Sequence, residues 1–197
     1  MKLSDQILNT LKGYTSKIVD NVLIEYQDGV HDKKNELIQF LNDVASVSDK
    51  ISAVLKSDSK GSDPLKFEIK KNDLSHGIYF DGIPSGHEFN SFILAILQVG
   101  GAPLSIDNDV QNIITGLNEE LNFETIVSLS CENCPDVVQA LNQFAILNPK
   151  ITNTTIDGGL HPDMINARKV QSVPTIFLNG EEFASGRVSI AKILDKL

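Results

Sequence analysis

Displaced by 100 positions, the sequence superposes on itself without a gap. Gln39 falls on Gln139, Leu41 on Leu141, Asn42 on Asn142, Ala45 on Ala145, Lys50 on Lys150 and Ile51 on Ile151, and further on Ser85–Gly86 falls on Ser185–Gly186. Two amphipathic helices can resemble one another by chance. Agreement that runs from a helix into the following strand instead points to a duplicated unit. In this register Cys131 faces His31 and Cys134 faces Lys34, so only the second copy carries a thiol pair.

The hydrophobic pattern gives each copy the same order of elements. Helical spacing appears in Leu3, Ile7, Leu8, Leu11, in Leu37, Ile38, Leu41, Val44, Ala45, and in Phe89, Phe92, Ile93, Ile96, Leu97. Strand-like runs lie between them at Ile18–Tyr26, Ile51–Leu55, Leu65–Ile69 and Ile78–Phe80, bounded by Gly, Asp, Pro or Ser. The second series predicts a helix through Val110, Ile113, Ile114, Leu117, Leu121, a strand over Phe123–Leu129, a helix over Val137–Phe144 and a strand over Ile151–Ile156. A short helix near Met164–Arg168, strands at Thr175–Leu178 and Glu182–Ala184, and a closing helix through Ile190, Ile193, Leu194 and Leu197 complete it. The expected domains are 1–103 and 104–197.

Composition removes several function classes. A net charge of -9 with no basic cluster argues against a nucleic-acid surface. No apolar run approaches the roughly 18 residues of a membrane span, and MKLSDQILNT lacks the basic and apolar segments of a signal peptide, so the chain is expected to be cytoplasmic. Its only two cysteines are three apart, and in a reducing compartment such a pair calls for a reactive or metal-binding explanation.

The segment FETIVSLSCENCPDVVQALNQF places a strand before Cys131 and an amphipathic helix after Cys134. Cys131 is therefore expected at a helix N-terminus, where unpaired N–H groups and the helix dipole favour the thiolate that attacks disulfides. Cys134, deeper in the helix, would resolve the mixed disulfide. Pro135 suits an early helical position. Half a zinc site and a pair of inert thiols are the competing readings. Zinc would need further ligands, whereas His31, His76, His87 and His161 are scattered and there is no second CxxC, so no metal site is expected in the chain.

Val173–Pro174–Thr175 precedes the strand Ile176–Leu178, about 40 residues beyond Cys134. This pattern resembles thioredoxin-like folds, in which a cis-proline stands here beside the cysteines. Most X-Pro bonds are trans, about 5–6% being cis, but position after a CxxC reverses that expectation. The stretch SLSCENCPDVVQALNQFAILNPKI, then IDGG, VPTIFLNGEEF and GRVSIAKIL, with Gly86 and GHEF in the first copy, closely resembles the N-terminal domain of the alkyl hydroperoxide reductase F subunit. The resemblance covers nearly the whole chain. It implies an α/β architecture of two fused thioredoxin-like folds, each a mixed β-sheet flanked by helices, with the redox pair only in the second. It also implies a relay in which the cysteines take electrons from a flavin domain that oxidises NADH and pass them to a two-cysteine peroxiredoxin.

Two departures accompany the resemblance. Glu132–Asn133 stands between the cysteines where the family usually has His-Asn, and a carboxylate beside Cys131 opposes thiolate formation. No GxGxxG follows a strand, so FAD and NADH are expected in a partner or a further domain, with no cofactor in this chain. Glu88, at the start of the first copy's last helix, is a candidate for proton exchange with the cysteines. The simpler reading is a helix N-terminal acid stabilised by the dipole. Asp157 is a weaker candidate that can simply begin the Gly158–Gly159 turn. The expected catalytic set is thus Cys131, Cys134, Pro174 and Glu88. The alternatives are a general glutaredoxin-like protein disulfide oxidoreductase, or a docking module with vestigial thiols.

Overall fold

The computed structural model describes residues 2–57 and 63–197. The first half runs α1 (Asp5–Thr15), β1 (Val22–Tyr26), α2 (Lys34–Ala45), β2 (Ile51–Leu55), β3 (Lys66–Lys71), β4 (Leu74–Asp81) and α3 (Glu88–Val99). The second runs α4 (Asn108–Gly116), β5 (Leu121–Val127), α5 (Cys134–Leu147), β6 (Ile151–Asp157), a 3-10 turn (Gly158–Leu160), α6 (Pro162–Ala167), β7 (Thr175–Leu178), β8 (Glu181–Ser185) and α7 (Ile190–Leu194). No helix among the described residues is long and apolar enough to cross a membrane.

The strands form one eight-stranded mixed sheet in the order β2-β1-β3-β4-β6-β5-β7-β8. Each half repeats one pairing scheme. β1 and β2 are parallel with Val22 opposite Ile51, and β5 and β6 are parallel with Leu121 opposite Ile151. β1–β3, β3–β4, β5–β7 and β7–β8 are antiparallel. These are two fused thioredoxin-like folds, joined where β4 runs parallel to β6 from Ile78 opposite Asn153 to Asp81 opposite Ile156. The C-terminal ends of β4, β5 and β6 therefore share one edge of the sheet, where ligands and reactive groups gather in parallel arrangements.

Local hydrogen bonds explain where strands depart from the sequence expectation. The run from Ile18 does not extend to β1, because the amides of Val19 and Asp20 donate to Gly100 O at 2.8 and 3.1 Å. β5 stops at Val127 rather than Leu129, because Leu129 O accepts from the His87 amide at 2.9 Å. β4 is longer than Ile78–Phe80, beginning at Leu74 after a turn with positive φ at Asn72 and Asp73.

One core cluster runs through both halves. α2 buries Leu37, Phe40, Leu41 and Val44, the i, i+3, i+4, i+7 stripe of an amphipathic helix. Phe40, Phe67, Phe80 and Phe92 pack with ring centroids 5.5 to 5.6 Å apart, and truncating any one to alanine costs about 3–5 kcal/mol. α5, packed against α3, is buried enough to carry polar groups inward. Asn142 Oδ1 accepts from Asn153 Nδ2 at 2.8 Å, and Asn153 Oδ1 accepts from Thr125 Oγ1 at 2.9 Å. Such partners keep buried polar atoms from being a net loss.

Candidate active site

β5 leads into a turn, Ser128 to Asn133, and α5 begins at Cys134. Cys131 lies in that turn, its amide bonded to Ser128 O at 2.9 Å, just ahead of the helix N-terminus where the sequence places it, and Cys134 opens the helix instead of lying deeper within it. The helix starts later because Pro135, lacking an N–H, occupies the earliest helical positions and fixes the boundary at Cys134. The pair is closed as a disulfide with Cα atoms 5.6 Å apart, so the Cys131 sulfur is held at the helix N-terminus through its partner.

The two sulfurs occupy different environments. Cys134 is fully buried and packs with Val127 and Val138, whereas Cys131 is only partly buried. Val173–Pro174 is a cis peptide, the sole one among the described residues. Val173 O lies 3.8 Å from Cys131 Sγ, and Pro174 O accepts from the Gly186 amide at 2.8 Å. Cys131, Cys134 and the cis-proline segment thus form one unit with one accessible sulfur.

Glu88, the first residue of α3, is 1% exposed. It lines a small cavity with Asp81, Ile83, Val127, Leu129, Thr155 and Asp157, and neither cysteine is in its wall. The cavity is tied to the cysteine turn through the backbone, since the loop before α3 rests on Leu129. A Cβ at Gly86 would meet Leu129 O at 2.3 Å. No donor reaches either Glu88 carboxylate oxygen with hydrogen-bond geometry. Burial pushes its carboxyl up to about 7, and the nearby Ser91 hydroxyl offsets this only in part. Placement at a helix N-terminus fits the sequence reading, but burial outweighs any stabilisation of the charge there. Asp157 ends β6 and accepts from the Gly159 amide at 3.0 Å, the turn-starting role, while burial also raises its carboxyl.

One histidine is not isolated as its position in sequence suggests. His161, ahead of α6, places Nε2 3.1 Å from Oδ2 of Asp81 at the end of β4, and Asp63 joins them. Nothing in the chain order signals this meeting, which depends on the β4–β6 pairing across the repeat.

A thiol pair at a strand–helix junction, beside a cis-proline in a thioredoxin-like fold, defines a disulfide oxidoreductase. A thioredoxin domain family matches residues 122–197. The alkyl hydroperoxide reductase F subunit of Pseudomonas aeruginosa is 43% identical over 195 residues, covering 99% of this chain and 37% of the relative. The chain thus spans a little over a third of the length of the curated relatives it matches. The N-terminal domain of alkylhydroperoxide reductase AhpF from Enterococcus faecalis superposes with a TM-score of 0.86 at 30% identity, covering 98% of both chains. A protein disulfide oxidoreductase from Aeropyrum pernix shares the fold, with a TM-score of 0.87 at 20% identity over 99% of this chain and 92% of that one. The chain belongs to the family of alkyl hydroperoxide reductase F subunits, as its N-terminal, tandem thioredoxin-like domain.

Proposed function

We propose that Cys131 and Cys134 relay electrons from a flavin- and NADH-dependent reductase domain to a two-cysteine peroxiredoxin that reduces alkyl hydroperoxides, in the cytoplasm. The units are 1–103, lacking thiols, and 104–197, carrying them. The observation that carries this reading is the asymmetry of the sulfurs, one partly exposed beside a cis-proline and one buried behind it. When bound in a partner domain, a flavin would supply the electron pair. The residues of this chain exchange a disulfide.

In the forward step the Cys131 thiolate attacks one sulfur of the substrate disulfide, whose S–S bond breaks and whose second sulfur leaves as thiolate. The Cys134 thiolate then attacks Cys131 Sγ, closing the intramolecular disulfide and releasing the other substrate sulfur. Two electrons leave the pair, and two protons complete the substrate thiols. Val173, preceding Pro174, positions backbone for an extended substrate segment at Cys131. Glu88, with a carboxyl poised near neutrality, is assigned to hold one of the protons exchanged with the pair.

Reduction of a two-cysteine peroxiredoxin and of insulin by the pre-reduced chain, measured under one reductant, tests the relay. Much faster transfer to the peroxiredoxin is expected, because sulfur must approach sulfur along a narrow line and the surface around the pair selects partners. Equal rates would favour a general disulfide reductase, and no transfer to either would favour a docking module.

A further inference from the structure

The C-terminal ends of β4 and β6 meet where the two halves join, and three side chains with metal-ligating atoms converge there. Asp81 is the last residue of β4, Asp63 immediately precedes Pro64 ahead of β3, and His161 follows the 3-10 turn after β6. One ligand atom from each lies within 4.8 Å of the others. Asp81 is 4% exposed, yet no donor reaches its Oδ1. The His161 nitrogen lies 3.1 Å from Asp81 Oδ2 without the alignment of a hydrogen bond.

The His161–Asp81 separation of 3.1 Å is that of two ligands on one ion, and a small side-chain adjustment brings Asp63 into the same shell. Zinc bound at about 2.0–2.1 Å with tetrahedral angles separates its ligand atoms by about 3.3 Å. Two carboxylates brought together inside a protein, with an orphaned oxygen on the buried one, also need positive charge between them, which either a protonated His161 or a bound cation supplies. Asp157 adds a third carboxylate to the neighbourhood, and Lys66 is the lysine whose charge reaches Asp81. A mixed imidazole and carboxylate donor set selects a first-row divalent ion rather than the all-oxygen shell of calcium or magnesium.

We propose that Asp63, Asp81 and His161 form a divalent transition-metal site of the zinc class, drawing two ligands from the first half and one from the second. The sequence spacing hides it, since 18 residues separate Asp63 from Asp81 and 80 separate Asp81 from His161. A cation there would clip β4 to the segment following β6, at the same sheet edge as the cysteine turn. Its role is to hold the halves in register. The exchange chemistry does not pass through it, so the site stands or falls independently of the relay.

The test is calorimetric titration of the oxidised 197-residue chain with Zn2+, and absorption of the Co2+ form, with the disulfide closed so that thiols cannot compete. One ion per chain is expected, with cobalt d–d bands of a nitrogen- and oxygen-ligated site and a raised melting temperature in Zn2+. His161→Gln and Asp63→Asn should each weaken binding at least tenfold, and both are near-isosteric changes at partly buried positions, with folding of each variant checked by its melting transition without metal. A His87→Gln control should bind as the parent does. Absence of stoichiometric uptake by the folded chain would overturn the proposal, leaving the two aspartates to share a proton. Uptake unchanged in both ligand variants would do the same.

Discussion

Residues 31–34 and 131–134 form the same turn and carry opposite chemistry. The residues ahead of α2 and α5 have nearly the same backbone, φ -86 and ψ -1 at Lys33 against φ -94 and ψ -13 at Asn133. In the second half the first helical side chain is a buried thiol. In the first it is Lys34, 8% exposed, whose ammonium donates to Pro64 O at 2.7 Å and to Gln27 O, and sits 5.0 Å over the Tyr26 ring. Pro64 precedes β3 as Pro174 precedes β7, so in each half this four-residue turn lies against the proline segment, through an ammonium in one and through the Cys131 sulfur beside Val173 O in the other. The exchange runs the other way at the last helix, where the first half places Glu88 and the repeat-equivalent residue is the buried Val188. Duplication preserved the backbone and divided the chemistry, thiols to one copy and the buried carboxyl to the other.

The largest test of that division removes the thiols. Cys131→Ser should abolish exchange, and Cys134→Ser should accumulate mixed disulfides with substrate, separable on non-reducing gels. His31→Ser should leave exchange rates unchanged. Trapping by the Cys131→Ser variant instead would reverse the roles assigned to the two sulfurs.

Paired glycines sharpen the comparison further. Gly86 and Gly186 occupy the same repeat position and both have positive φ, 55° and 73°. A Cβ at Gly86 meets Leu129 O at 2.3 Å, whereas at Gly186 nothing lies within 4 Å. Gly186→Ala should therefore cost only the backbone strain of about 1 kcal/mol, and Gly86→Ala about 2–4 kcal/mol once the collision is added. Chemical denaturation of the two variants measures this directly. Equal losses would mean that the loop before α3 is not wedged against the cysteine turn.

Restoring thiols to the first half asks whether its turn remains competent. The His31→Cys, Lys34→Cys double variant should form a disulfide between these positions, detected by mass after alkylation, because the turn already matches that of the active pair. It should also lose about 1–3 kcal/mol, since Gln27 O and Pro64 O lose their buried donor. Failure of the folded variant to close that disulfide would count against the structural equivalence of the turns.

Much of this was legible in the sequence, for physical reasons that differ by residue. Helix and strand periodicity, Pro135 and the matched Gly86 and Gly186 reported local geometry, which nearby residues determine. The cis state of Val173–Pro174 was expected from the resemblance to thioredoxin-like folds, which carry a cis-proline at this place after the cysteines. That Cys134 opens the helix instead of lying deeper in it was missed because Pro135 marks where a helix can begin without saying how many residues precede it. The burial of Lys34 and the meeting of His161 with Asp81 were missed because both are set by contacts distant in the chain. A buried lysine read from sequence is indistinguishable from a solvated one until its carbonyl partners are placed.

The smallest expected effect separates Glu88 from its apolar counterpart Val188. An ordinary glutamate in the unfolded chain ionises near 4.5, whereas burial in the folded chain raises Glu88 to about 7. The folded state therefore holds a proton that the unfolded state has already released, and stability present below pH 4.5 is lost as pH rises through 7. Between about pH 6 and 8 this amounts to roughly 1 kcal/mol. Glu88→Gln keeps the shape and removes the titration, so the parent should lose about that much more stability than the variant across the interval. Urea denaturation of both proteins at each pH isolates the contribution, because Asp63 and His161 titrate in both and cancel in the difference. Parallel stability curves would show that Glu88 carries no raised ionisation in the folded chain, and with it would go the assignment of proton exchange to the first half.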